Sequence, residues 1–177
     1  AGLWLTAVSG PGLIGIGLAG LITGWAYSAP PFKLQSRGLG EYGITAAWLL
    51  IVVGSDFVQR HALSFAPVAA GLGFALLVAN VLYINQFPDV NADTQAGKRT
   101  LVVRLGVQRA RWGYALIALL CYGWVTAMIM LGHLPGVAAS SLLPAVASFK
   151  AARNLAAHAA QPLALVPGIK LTILAAS

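Results

Sequence analysis

Long apolar runs separated by short polar segments make up most of the chain. A membrane-spanning helix needs roughly 20 mostly apolar residues, and six runs come close to this length. They lie at residues 13–27, 44–58, 63–84, 112–131, 135–149 and 163–177, and the fifth is short. Residues 3–8 fit the end of a further helix, which the glycines and proline of 9–12 terminate. The pattern predicts an all-α, polytopic membrane helical bundle with about six transmembrane helices.

The composition supports lipid as the main solvent. Hydrophobic residues make up 59% of the chain and charged residues only 8%, and the mean hydropathy is +0.81. A soluble domain has about 25% charged residues, so this surface does not suit water. Transmembrane β-strands would alternate apolar and polar residues over segments of about 10, and no such segment is evident. We therefore expect an integral, multi-pass membrane protein in contact with membrane lipid.

The basic residues are unevenly distributed between the apolar runs. The net charge is +7, which in a soluble protein would suggest nucleic acid as a partner. If the runs cross the membrane alternately, nine of the eleven basic residues fall in the loops 28–42, 85–111 and 150–161 on one side. Basic loops of this kind face the cytoplasm. The charge therefore predicts membrane orientation rather than nucleic-acid binding, within a single domain covering residues 1–177.

Two of the four acidic residues stand four positions apart, at Asp89 and Asp93. On a helical turn this spacing places both carboxylates on one face, where like charges repel. A divalent cation would offset the repulsion, and Mg²⁺ binds one or two carboxylates together with substrate phosphates. The pair is a candidate magnesium site.

A basic cluster follows the acidic pair directly. Lys98, Arg99 and Arg104 could form charge-assisted hydrogen bonds to phosphate oxygens. Asn85 ends an uncharged run just before the acidic pair, and polar groups at membrane depth usually face a cavity or a neighbouring helix. The residues alone fit a metal-bridged diphosphate site, and they equally fit a solvated, charged loop.

Two segments resemble motifs of a known family. The run NQFPDVNADTQAGKRTLVVRLG at 85–106 resembles the second aspartate-rich motif of the UbiA superfamily of membrane prenyltransferases. It is most similar to the branch that prenylates 1,4-dihydroxy-2-naphthoate in menaquinone biosynthesis. The segment YSAPPFKL at 27–34 resembles the family loop that contains a tyrosine and a lysine. The resemblance covers essentially the whole chain.

The resemblance implies a fold and a position within it. Family members have nine transmembrane helices around a central cavity, and the six runs would be the fourth to ninth. The first aspartate-rich motif, of the NDxxD kind, would lie before residue 1, so the chain is expected to be N-terminally truncated. We expect these residues by themselves to be inactive, because half of the metal site would be missing.

The resemblance also implies an activity and roles for individual residues. The reaction would be Mg²⁺-dependent transfer of a polyprenyl group from an allylic polyprenyl diphosphate to an aromatic acceptor. The active-site loops would face the cytoplasm at a bacterial inner membrane. The implied site residues are Asp89 and Asp93 for metal binding and catalysis, Tyr27 and Lys33 for catalysis, and Asn85, Lys98, Arg99 and Arg104 for diphosphate binding.

The sequence also suggests roles for Glu41 and Asn80 and leaves alternatives to an enzyme open. Glu41 is expected in a surface pair with Lys33 or Arg37. Asn80 fits helix packing as well as function. The alternatives to an enzyme are a non-catalytic or degenerate membrane fragment and a piece of a transporter. A transporter would need repeated or broken helices in matching halves, which the sequence does not display.

Overall fold

The computed structural model describes residues 2–177, and these are helical almost throughout. Within them the chain forms nine α-helices, three short 3₁₀ segments and no strand. The α-helices are α1 (Gly2–Ser9), α2 (Gly12–Ser28), α3 (Gly40–Arg60), α4 (Ala66–Asn85), α5 (Val90–Gln95), α6 (Leu101–Leu105), α7 (Val107–Met130), α8 (Ala145–His158) and α9 (Val166–Ala176). The prediction of an all-α fold is confirmed.

Three of these helices are long and apolar enough to cross a membrane, namely α3, α4 and α7. The helix Gly12–Ser28 and the helical segment Pro162–Ala176 are apolar but shorter. Among the described residues the count of six spans is therefore not confirmed, although five of the six predicted runs coincide with apolar helices.

The predicted fifth span, 135–149, does not form one helix. It contains the 3₁₀ segment Gly136–Leu142, and α8 begins only at Ala145. Pro135 and Pro144 stand at the N-caps of these two elements. Proline lacks a backbone N–H and cannot continue a helix interior, so the chain is divided where the prolines occur. Consequently Lys150 and Arg153, which were predicted in a loop, lie within α8.

Helix α4 is at the centre of the bundle and packs against α3, α7 and α9. Its buried small residues are Ala69, Gly71, Gly73, Ala75 and Ala79. A Cβ on Gly71 would lie 2.9 Å from Cγ1 of Val52 in α3, and one on Gly73 would lie 2.8 Å from Cγ2 of Val125 in α7. Small residues at such contacts let helices approach closely, as is common in membrane bundles.

The outer surface is strongly apolar. Helix α2 has no buried residue, and Leu18, Leu21 and Ile22 on it are each more than half exposed. Inside the bundle, Asn80 donates from Nδ2 to the backbone oxygen of Tyr114 at 3.2 Å. An exposed apolar face of this kind is typical of a protein surrounded by lipid. The position of Asn80 favours the packing interpretation of that residue.

The basic segments meet at one end of the bundle. The backbone N–H of Arg99 donates to the oxygen of Ser36 at 2.8 Å. The guanidinium of Arg111 donates to the oxygen of Ala156, also at 2.8 Å. At the opposite end, the rings of Phe65 and His133 stack edge to face with centroids 5.1 Å apart. The segments 28–42, 85–111 and 150–161 are thus neighbours in space as well as similar in charge.

Candidate functional site

One wall of the candidate site is the ring of Tyr27, which lies in the last turn of α2. The ring lies against the first turn of α3, where two glycines stand three residues apart on one face. A Cβ on Gly43 would lie 2.9 Å from Cδ2 of Tyr27, and one on Gly40 would lie 3.9 Å from Cε2. The glycines therefore allow the aromatic ring to contact the helix backbone directly.

The acidic segment begins where α4 ends. Asp89 occupies the N-cap position of the short helix α5, and Asp93 lies in its first turn. The backbone N–H of Asp93 donates to the oxygen of Asp89 at 2.8 Å, so one helical turn joins the two acids. Phe87 is almost fully buried, and its ring lies 5.8 Å from that of Tyr83. This anchor in the core holds the acidic segment at the end of α4.

A cavity of about 140 Å³ brings these elements together. It is lined by Tyr27, Gln35, Gly40, Leu82, Asn85, Gln86, Asp89, Asp93, Lys98 and Thr100. Asp93 is buried, and its Oδ1 lies 2.9 Å from Nζ of Lys98. Asp89 is exposed. The cavity thus has one carboxylate, Asp93, that is paired with the Lys98 ammonium, and one, Asp89, that is open to a ligand.

The structure brings together five of the eight predicted site residues, namely Tyr27, Asn85, Asp89, Asp93 and Lys98. The other three do not line the cavity. Lys33 is exposed and has a left-handed backbone conformation with φ of 45°. Arg99 and Arg104 are also exposed, and Nε of Arg104 donates to the backbone oxygen of Arg99 at 3.0 Å. The diphosphate-binding role of these two arginines stays a prediction.

The expectation for Glu41 is wrong. Glu41 forms no ion pair with Lys33 or Arg37, and its side chain is 7% exposed. It accepts a hydrogen bond from Nε2 of Gln86 instead. The physical reason is that the first turn of α3 packs against the end of α4, which removes Glu41 from the surface.

Sequence reasoning also missed four polar or small residues of the cavity, namely Gln35, Gly40, Gln86 and Thr100. Gln86 and Thr100 lie inside the 85–106 motif, so their position beside the acidic and basic residues was an available signal. Gln35 and Gly40 had no comparable signal, because their role depends on how the 3₁₀ segment Leu34–Ser36 and the start of α3 pack.

The donor atoms of the cavity fit a hard cation. No group of three or more His, Cys, Asp or Glu side chains occurs among residues 2–177, so a cage made by protein alone is not present there. Mg²⁺ prefers oxygen and is usually bound by one or two carboxylates, with substrate phosphates and water supplying the rest. Asp89 and Asp93 offer such a pair, with the side chain of Asn85 on the same cavity.

A comparison with protein families decides the classification. The sequence model of the family described as the UbiA prenyltransferase family matches residues 1–167, nearly the whole chain. The chain belongs to this family. The resemblance inferred from the 85–106 and 27–34 segments is thereby confirmed, and the apolar helices agree with a family of membrane proteins.

Several curated relatives have names that refer to naphthoate or naphthoquinone substrates. The 1,4-dihydroxy-2-naphthoate octaprenyltransferase of Mycobacterium leprae is 30% identical over 131 residues, which are 73% of this chain and 44% of the relative. The enzyme of the same name from Escherichia coli is 40% identical over 82 residues, 45% of this chain and 26% of the relative. The 2-carboxy-1,4-naphthoquinone phytyltransferase of Arabidopsis thaliana is 30% identical over 111 residues, 55% of this chain and 28% of the relative.

The chain spans less than half the length of these curated relatives. No solved structure is significantly similar to it.

Proposed function

We propose that the protein transfers a polyprenyl group from a polyprenyl diphosphate to an aromatic acceptor within the membrane. The main supporting observation is that Asp89, Asp93, Lys98 and Tyr27 line one cavity. Such a site has the negative groups to hold a cation and the positive group to hold a phosphate. Membership of the UbiA prenyltransferase family supports the same reaction.

Asp89 and Asp93 would hold Mg²⁺, with Asn85 beside them. When bound, the metal would neutralise charge that develops on the diphosphate as its carbon–oxygen bond breaks. In this proposal the two carboxylates differ in role. Asp93 is buried and paired with Lys98, so it would hold this part of the site in place. Asp89 is exposed, so its carboxylate would be free to bind the metal in place of water.

Lys98 and Tyr27 would act on the two halves of the donor substrate. The side chain of Lys98 is 45% exposed, which would leave its ammonium able to turn from Asp93 towards a diphosphate oxygen. As the diphosphate leaves, positive charge would develop on the prenyl carbon. The ring of Tyr27 would stabilise this charge by cation–π attraction, worth ~0.5–2 kcal/mol. The exposed Arg99 and Arg104 would add positive potential near the cavity.

The relatives and the charge distribution support a proposal for the acceptor and the location. Relatives named for naphthoate or naphthoquinone substrates support a bicyclic aromatic acceptor and a role in quinone biosynthesis. We place the protein in a bacterial inner membrane with its basic end in the cytoplasm. We also propose that residues 1–177 form one membrane domain, since contacts connect α1 through α9 without a break.

The test measures pyrophosphate release in membranes from cells expressing the full-length gene, with and without Mg²⁺. A panel of prenyl diphosphates and aromatic acceptors identifies the substrates. We expect release that requires Mg²⁺ and one class of acceptor. Asp89→Asn and Asp93→Asn should each lower the rate on the order of 100-fold or more, because each removes a carboxylate that would hold the metal.

Asp56→Asn is the matched control. Asp56 lies near the C-terminal end of α3 and pairs with Arg60 at 4.0 Å, away from the cavity. It should leave the rate within about twofold, as for most surface substitutions. Full activity in both the Asp89→Asn and the Asp93→Asn proteins would contradict the site. No release with any substrate pair, from folded protein, would favour the alternative of a non-catalytic or degenerate membrane fragment.

A further inference from the structure

Glu41 and Gln86 form a buried polar contact next to the cavity. Glu41 lies in the first turn of α3, and Gln86 follows the last residue of α4. Both are nearly buried, with 7% and 8% of their surface exposed. The Gln86 amide donates from Nε2 to Oε1 of Glu41. Most buried polar groups in proteins have a hydrogen-bond partner, and this contact, which uses one oxygen of Glu41, orients the Gln86 amide.

The same amide reaches a third element. Its Oε1 accepts a long hydrogen bond of 3.5 Å from the backbone N–H of Val102. Val102 is fully buried in the first turn of α6. Backbone N–H groups in a first helical turn have no partner within the helix. Gln86 therefore connects the start of α3, the end of α4 and the start of α6, and Glu41 determines which way its amide points.

This connection lies between the two charged segments of the cavity. Gln86 precedes Asp89 by three residues, and Val102 follows Lys98 by four. Gln86 itself lines the cavity, as do Gly40 beside Glu41 and Thr100 at the N-cap of α6. A change in the Gln86 amide would alter the separation between the acidic segment and the lysine segment.

We propose that Glu41 is a positioning residue for prenyl transfer. It does not line the cavity and would not touch the substrate. It would act through Gln86 by holding the Asp89–Asp93 segment and the Lys98 segment at their working separation. The inference rests on the proposed function, because only the transfer reaction gives this separation a catalytic meaning.

The proposal predicts a selective kinetic effect. Without the Glu41 acceptor the Gln86 amide turns, and the N–H of Val102 loses its partner. Asp93 and Lys98 then shift relative to each other, and small misplacements in an active site can cost about 100-fold in rate. We expect Glu41→Ala to lower kcat about 10-fold or more, with KM for the acceptor changed by less than about threefold.

Two readouts are measured on the full-length protein. The first is kcat and KM in membranes. The second is hydrogen exchange at the Val102 amide without substrate, which does not depend on activity. Glu41→Ala should speed this exchange about 10-fold or more. Glu41→Gln keeps an acceptor oxygen for Gln86 and should stay within about threefold of the unaltered protein in both readouts.

The matched control is Tyr42→Ala. Tyr42 neighbours Glu41 in the first turn of α3 but is 71% exposed. It should change neither readout by more than about twofold. Unchanged exchange in Glu41→Ala would show that the connection does not exist. Faster exchange with unchanged kcat would overturn the positioning role.

A second pair of variants covers the case in which Glu41→Ala does not fold. Gln86→Glu places a second carboxyl group against that of Glu41. The double variant Glu41→Gln with Gln86→Glu restores a carboxyl–amide pair with the two positions exchanged. We expect fast exchange at Val102 in the single variant and recovered protection in the double variant. Two folded proteins with equal exchange would overturn the proposal. Failure of the proposed function is separate, since it appears as absent pyrophosphate release in the unaltered protein.

Discussion

At the scale of single residues, the two acids of the candidate site have different surroundings. Asp93 is buried and has a lysine ammonium at 2.9 Å, whereas Asp89 is exposed. The Lys98 side chain is 45% exposed, so an Asp93 variant changes a partly buried ion pair as well as the candidate metal site. A loss of activity in an Asp93 variant is therefore interpretable only with a measurement of folding beside it, whereas an Asp89 variant reports on ligand binding more directly.

Gly43 provides a residue-scale prediction about Tyr27. In Gly43→Ala the new Cβ would lie 2.9 Å from Cδ2 of Tyr27, so the ring must move away from α3. We expect pyrophosphate release to fall about 10-fold, because the ring leaves its place on the cavity wall. The control is Gly24→Ala, where a Cβ meets nothing within 4 Å, and its rate should stay within about twofold. Equal rates in both variants would mean that the ring position does not matter.

At the scale of elements, α4 decides how the other helices are arranged. It contacts α3, α7 and α9, and its C-terminal end leads into the acidic segment. The glycines Gly71 and Gly73 face α3 and α7 respectively. Because the cavity is built on the end of this helix, the spacing of its neighbours also sets the spacing of the site.

Gly71→Leu and Gly73→Leu test this packing. Each side chain would collide with a valine, Val52 or Val125, at a Cβ distance of 2.9 or 2.8 Å. We expect each to lower the free energy of unfolding by about 1–3 kcal/mol or more, since overpacking strains both helices. The measurement is unfolding in detergent followed by circular dichroism. The control, Gly123→Leu, places leucine where a Cβ has no neighbour within 4 Å and should not lower stability. Comparable losses at all three positions would contradict the assigned interfaces.

At the scale of the whole molecule, the charge distribution gives the bundle two different ends. The segments 28–42 and 85–111 are joined by the Arg99–Ser36 hydrogen bond, and Arg111 joins the second of them to α8. At the other end Phe65 lies against His133. Positive charge gathered at one end favours the cytoplasmic side for that end.

Cysteine labelling checks this orientation. Cys121 is the single cysteine among residues 1–177 and is buried, so a cysteine-free background that includes Cys121→Ala is used for Gln95→Cys and Leu63→Cys. Both positions are exposed, the first in the basic segment and the second in the turn between α3 and α4. With a membrane-impermeant maleimide on intact cells, Leu63→Cys should react, and Gln95→Cys should react only after permeabilisation. The reverse pattern would place the basic end outside.

The helical class, the apolar character and the local chemistry of the acidic segment are already evident in the amino-acid sequence. Hydrophobic runs are a property of neighbouring residues, and so is the spacing of Asp89, Asp93 and Lys98 within one short stretch. Residues so close along the chain can meet with only local folding, which is why the cavity contains all three. The family resemblance depended on the same local motifs.

The surroundings of that stretch are evident only in the folded bundle. The contact of Tyr27 with Gly43 and the burial of Glu41 against Gln86 both depend on how α2, α3 and α4 pack. Apolar helices of this kind have no clear polar face, so hydropathy does not specify which side meets which neighbour. Glu41 is predicted on the surface because it is charged, and the charge is evident from the sequence. The approach of α4 that buries Glu41 depends on the assembled bundle.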